Sequence, residues 1–191
     1  MEQDRLDYEQ FLSGDKAGFE RLVLRYKDGL IQFIARFVRD LYQAEDLAQD
    51  TFVEVLLHPE RYRKETSFKT YIYTIGHNKA VDYIRRNDRL TLIGEWEESD
   101  AMRADALLLE EKVIREEEKR ELYAVMKQLK PDYERVLYLV DLEGVSYADA
   151  AQMLGKSDSQ IKVLIHRARK RLKQKMEEKK GTYTGNGGGK P

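Results

Sequence analysis

Apolar residues recur at steps of three and four along most of this chain, and prolines stand only at 59, 131 and 191. That spacing gathers apolar side chains on one face of an α-helix, so an almost wholly helical protein with few strands is expected. Phe19, Leu22, Val23, Tyr26, Leu30, Phe33, Ile34 and Phe37 draw one such stripe behind a turn and cap at Ser13-Gly14-Asp15, which predicts a helix over about 16–38. A second helix is expected over about 43–57, with Leu47, Phe52, Val55 and Leu56 as its apolar side and Pro59 closing it. After a polar loop from Glu60 to Ser67, Tyr71, Ile72, Ile75, Val81 and Ile84 predict a third over about 68–86. Residues 1–86 are read as one compact domain.

Beyond Asn87 the periodicity weakens and acidic residues dominate, so 87–114 is read as a linker, with room for a helical turn at Ala104 to Leu109. Some 25 residues of extended chain span about 80 Å, enough to join domains more than one DNA turn apart. A second helical domain is expected over 115–176, built on Leu122, Val125, Met126 and Leu129 before Pro131 and on Val136, Leu137, Leu139 and Val140 after it. Residues 177–191 are expected to be a disordered tail, since five glycines follow from Gly181 onward. The fold class is therefore all-α: two small helical domains joined by an acidic linker, the C-terminal one a helix-turn-helix.

The helix-turn-helix reading rests on Ser146 to Leu172. Tyr147, Ala150, Ala151 and Leu154 give a short helix one apolar face, Gly155 supplies the permissive backbone where it stops, and Ser157 or Asp158 can cap the next helix. In that next helix Ile161, Ile165, Ala168 and Leu172 share one side, while Lys162, His166, Arg169 and Lys173 share another. One face packs and the other meets phosphates, the layout of a recognition helix. The formal net charge of −1 hides this polarity. Ten Lys/Arg face three Asp/Glu between Lys156 and Lys180, and eight face four between Glu60 and Arg89, whereas three face ten between Leu90 and Glu118. Two basic blocks flank an acidic one, a pattern that fits nucleic-acid binding.

A chain of 191 residues that is 41% hydrophobic can bury one ordinary core or two small ones. It has no cysteine, which excludes disulfides and thiolate metal sites. His58, His77 and His166 share no metal-ligand spacing, and no cofactor or metal site is expected. No apolar run approaches the ~20 residues of a membrane span, and Met1 to Tyr8 lacks the features of a signal peptide, so a cytoplasmic protein without membrane insertion is expected.

Four segments in this order, Gly14 to Leu22, Ala44 to Phe52, Phe68 to Arg86 and Ser146 to Leu172, resemble those of bacterial RNA polymerase sigma factors of the extracytoplasmic-function type. The resemblance covers about residues 8–176 and implies a non-enzymatic initiation factor working with core RNA polymerase on promoter DNA, commonly held by an anti-sigma factor. It implies that Asp46, Gln49 and Asp50 dock on the polymerase. It also assigns minus-ten recognition and melting to Tyr62, Arg63, Lys64, Ser67, Phe68, Lys69, Asn78, Lys79, Arg85 and Arg86. An aromatic can stack an unpaired base, an amide can bond its edge and cations can hold its phosphates, which is what strand opening requires. Tyr71 stands where the family usually has tryptophan and is read as packing. Contact with the minus-thirty-five element is implied for Ser157, Ser159, Gln160, Lys162, Arg167 and Arg169. Leu164 and Lys156 depart from the family pattern, which commonly has a polar and an apolar residue there.

The residues alone leave other readings open. Asp46, Gln49 and Asp50 also suit a plain solvated helix face, and Asp46 with Asp50 could be metal-binding carboxylates of a nuclease, although nothing nearby completes such a site. A free-standing helix-turn-helix regulator with a sensing N-terminal domain is the main competing function.

Overall fold

The computed structural model describes residues 2–63, 65–91 and 116–184. The first helix, α1 (Glu2–Leu12), is absent from the sequence reading because its inward face is largely charged: Asp4, Asp7 and Tyr8 are buried. Its partner is α2 (Lys16–Val38), capped by Asp15, whose carboxylate accepts from the Ala17 N–H at 3.0 Å. Gly18 lets the two helices cross closely, since a Cβ there would overlap the Asp7 carbonyl. Arg25 then donates to Asp4 at 2.6 Å and to Asp7 at 2.7 Å, and Arg21 donates to Asp7 at 2.8 Å.

Asp40 caps α3 (Leu41–Leu57), accepting from the Gln43 N–H, and Pro59 opens a 3-10 turn over Pro59–Arg61. Ser67 accepts from the Thr70 N–H at 3.0 Å at the head of α4 (Phe68–Thr91). The amphipathic α2 packs against α1, α3 and α4, with Leu22, Leu30, Phe33, Ile34 and Phe37 buried among Val55, Phe68, Ile72 and Tyr73. Each such side chain contributes about 1.5–3 kcal/mol on burial. Leu56, expected on the packed side of α3, instead points outward at 47% exposure.

The second unit comprises α5 (Glu116–Met126), α6 (Pro131–Leu137), which runs into a π-helical turn over Tyr138–Leu142, α7 (Tyr147–Met153) and α8 (Asp158–Thr184). Ser146 caps α7, and Gly155 at φ +59 makes the turn into α8. Ser157 and Gln160 cap α8 reciprocally: the Ser157 N–H donates to the Gln160 side chain at 2.8 Å and the Gln160 N–H to Ser157 Oγ at 3.3 Å. Ile161, Ile165 and Ala168 are buried against Val136, Leu137, Leu139, Ala150 and Met153, which is the packed face expected from the sequence.

Two expected boundaries need correction. Residues 87–91, read as linker, extend α4. Residues 177–184, read as disordered tail, extend α8, where Lys173–Glu177 and Lys175–Glu178 pairs run along the helix and Lys179 reaches Glu121 of α5 at 3.1 Å. The rest of the expected linker, 92–114 with its helical turn at Ala104 to Leu109, lies outside the described residues, as do Arg115 and the tail from 185. Every described regular element is helical, in two units, as the periodicity implied.

Candidate functional site

On α3 the buried Ala44, Leu47, Ala48, Thr51 and Val55 fix which side turns outward. That outer side carries Asp46, Gln49 and Asp50, all exposed, with no hydrogen bond or ion pair to other described residues. The same helical spacing adds Tyr42 at 69% exposure, Val53 at 48% and Leu57 at 66%. The sequence reading gave these three no role, because on a helix with apolar residues on more than one side the period of 3.6 marks only the stripe that packs. Acid and apolar groups interleaved on one rigid helix suit a basic, amphipathic protein partner.

The residues expected to meet the minus-ten element divide. Phe68 and Tyr62 are corrected from base-stacking candidates to core: Phe68 is 1% exposed and Tyr62 9%, their ring centres 5.5 and 4.8 Å from that of Tyr8. The Tyr62 hydroxyl donates to the Thr66 carbonyl at 2.9 Å, closing the loop between the Pro59–Arg61 turn and α4. Ser67 is occupied as the α4 cap. Lys79 pairs with Glu54 at 2.9 Å and holds its carboxyl below the usual range, the hydrogen bond outweighing burial. Arg63, Asn78, Arg85 and Arg86 are exposed, while Lys64 lies outside the described residues. Tyr71 packs half-buried beside Tyr62, as expected.

Lys69 is engaged by the other unit. Its ammonium meets the Glu143 carboxylate at 2.8 Å, and the next residue, Thr70, donates to Asp149 of α7 at 2.8 Å. This seam between the units continues through paired cations and rings. The Arg36 guanidinium lies 3.6 Å from the Tyr138 ring centre and that of Arg135 lies 3.9 Å from Phe37. Tyr138 also donates to the Gly29 carbonyl at 3.2 Å. His77 stacks edge-on against Phe37, and burial together with the nearby charges of Arg135 and Lys156 pushes its pKa down. Half-buried Glu134 is pushed up by desolvation, although Arg36 stands 3.9 Å away. Arg36 Nε is buried without a hydrogen-bond partner among the described residues.

Breaking this seam has a measurable outcome. Lys69→Glu sets two carboxylates face to face and removes a charge-assisted bond worth about 1.5–3 kcal/mol, so the units are expected to separate by at least about tenfold in population. Small-angle scattering should show a larger radius of gyration, and adding Glu143→Lys should reverse it.

On α8 the six residues implied to face the minus-thirty-five element do not share one face. Ser157 and Gln160 are bound up in the cap, while Ser159, Lys162 and Arg167 are exposed. Arg169 lies on the α7 flank, half exposed, where Nη2 donates to Asp141 Oδ1 at 2.5 Å and Nε to Oδ2 at 3.2 Å. That hydrogen bond raises its pKa further. Lys156 pairs with Asp132 at 3.1 Å, which accounts for a cation where the family has an apolar group. Among the described residues no cluster of His, Cys, Asp or Glu converges as a metal ion needs, and no helix is long and apolar enough to cross a membrane.

Known proteins share this arrangement. Residues 22–90 match the family model Sigma-70 region 2, and residues 119–172 match Sigma-70, region 4. The chain is 30% identical over 184 residues to the RNA polymerase sigma-H factor of Pseudomonas aeruginosa, covering 93% of this chain and 95% of that one. It is 32% identical over 163 residues to the ECF RNA polymerase sigma factor SigX of Bacillus subtilis, with 83% and 84% covered. A solved complex of CnrH with the cytosolic domain of CnrY has a similar fold, with a TM-score of 0.62 and 25% identity over 92% of this chain and 98% of that one. The sigma factor RpoE of Bartonella quintana, solved with the anti-sigma factor NepR, gives a TM-score of 0.63 at 21% identity over 83% and 96%. With relatives of that identity aligned almost end to end, the chain belongs to the extracytoplasmic-function sigma factors of the sigma-70 family.

Proposed function

We propose that this chain binds core RNA polymerase, carries it to a specific class of promoters and opens the minus-ten element, without catalysing a reaction itself. The single observation that carries this is the strip on α3, where Asp46, Gln49 and Asp50 stand outward beside Val53 and Leu57 with no described group to satisfy them. A DNA-binding regulator that acts alone has no use for it. Residues 2–63 and 65–91 form the unit that docks on polymerase and handles the minus-ten strand, with Arg63, Asn78, Arg85 and Arg86 reaching DNA and the buried Tyr62 and Phe68 packed beneath them. Residues 116–184 read the upstream element through α8. Promoter engagement frees Lys69 from Glu143, so the seam parts as the two units take separate positions on DNA. The protein works in the cytoplasm, where polymerase and chromosome are, and an anti-sigma factor holds it in reserve.

Run-off transcription with purified core polymerase tests the reading. Core alone should give no specific starts on genomic template, and core with this chain should give defined ones. A chain that only modulates starts made by another sigma factor would overturn it.

A further inference from the structure

Val163 is 50% exposed on the second turn of α8, in the middle of the face opposite Ile161, Ile165 and Ala168. Ser159 and Gln160 lie one turn before it and His166 and Arg167 one turn after, all exposed. A solitary exposed valine on an ordinary surface needs no explanation. Here it occupies the part of a recognition helix that enters the major groove, amid polar and cationic side chains. Beside it, Leu164 and Tyr133 line a shallow open cleft of about 430 Å³ whose edge carries Lys156 and Arg167. The apolar patch and its cationic rim match the chemistry of a base edge bearing a hydrocarbon group between phosphates.

Valine has no hydrogen-bonding atom, so it cannot satisfy the N7, O6, N6 or N4 groups of the groove. Against guanine, cytosine or adenine it would strip water from a polar edge and return nothing. The C5-methyl of thymine is the one apolar group that a major-groove edge presents. We propose that Val163 selects thymine at one position of the upstream promoter element by packing against its C5-methyl group. The inference rests on the promoter-binding reading above and adds to it a residue outside the set that the family resemblance implied.

The test uses holoenzyme assembled from core polymerase and the full chain, with a promoter library randomised across the upstream element. Bound sequences are recovered, and each enriched thymine is then replaced singly by deoxyuridine, which lacks only the methyl group. Loss of one buried methyl is expected to weaken binding about four- to tenfold at one position. Holoenzyme carrying Val163→Ala should bind the thymine and uracil forms of that site equally, while keeping its preferences elsewhere. Since Val163 is exposed and alanine favours helix, the variant should melt with the parent, which circular dichroism verifies. The proposal is overturned if no thymine is enriched, if every enriched thymine tolerates uracil, or if Val163→Ala still discriminates. A library with no upstream enrichment at all would sink the promoter-binding reading as well, so the two failures are distinct.

Discussion

Replacing Asp46 and Asp50 together by lysine is expected to weaken binding to core polymerase at least about thirtyfold while leaving the melting temperature nearly unchanged. Both carboxylates point away from the bundle and make no described contact, so folding does not depend on them, and exposed substitutions of this kind stay within about 0.5 kcal/mol. Against a basic partner, loss of a desolvated charge pair costs about 2–5 kcal/mol and reversal adds repulsion. The adjoining Val53 and Leu57 predict that Leu57→Ser weakens the same complex without acting on charge, so its effect should persist in high salt whereas that of the lysines should fade. Fluorescence anisotropy with labelled chain checks both. Parental affinity in the folded double variant would remove α3 from the interface.

Arg25→Ala is expected to destabilise the protein by about 3–5 kcal/mol, the usual cost of leaving a buried charge without its partner. Asp7 is wholly buried and takes hydrogen bonds from Arg21, Arg25 and Gln3. Burial alone would raise its pKa, but those three donors outweigh it and hold the carboxyl below its ordinary value of 3.8. The folded chain thus binds fewer protons at this site than the unfolded chain. The stabilisation is complete above pH 3.8 or so and disappears as pH falls through the lower folded value. Thermal melts should show Arg25→Ala lowered by roughly 6–15 °C at neutral pH. Below about pH 4, Asp7→Asn should flatten the loss of stability that the parent shows. A parent whose stability is level between pH 5 and 3 would contradict the assignment.

The bundle was legible wherever hydrophobic side chains alone decided the packing. The α2 stripe from Phe19 to Phe37 and the α8 face of Ile161, Ile165 and Ala168 lie where a period of 3.6 puts them. It was illegible where charge does the packing: α1 buries Asp4 and Asp7, and no periodicity scale counts an aspartate as inward. Among the candidate site residues, burial was illegible in the opposite sense. Tyr62 and Phe68 have the chemistry of base-stacking residues, and only the third dimension puts Tyr8 over them. Arg169 looked like any cation of a basic helix until Asp141, 28 residues earlier, was found against it. Leu56 is expected inward and Val163 is given no role, yet both are exposed, since a sequence does not separate a residue that needs burial from one awaiting a partner.

The Nε of Arg36, buried without a hydrogen-bond acceptor among the described residues, weakens the seam from inside. A buried N–H without an acceptor forfeits about 1–3 kcal/mol, which water returns as soon as the guanidinium is uncovered. The cation–ring contacts of Arg36 and Arg135 therefore hold the two units together against a standing debt located inside the same contact. That penalty lowers the preference for the clasped state by about 1–3 kcal/mol, so a ligand that prefers the parted state has correspondingly less to overcome. A clasp of this kind yields to a modest binding event at either unit, and a protein that captured the clasped form would need no more than a comparable preference to keep it shut.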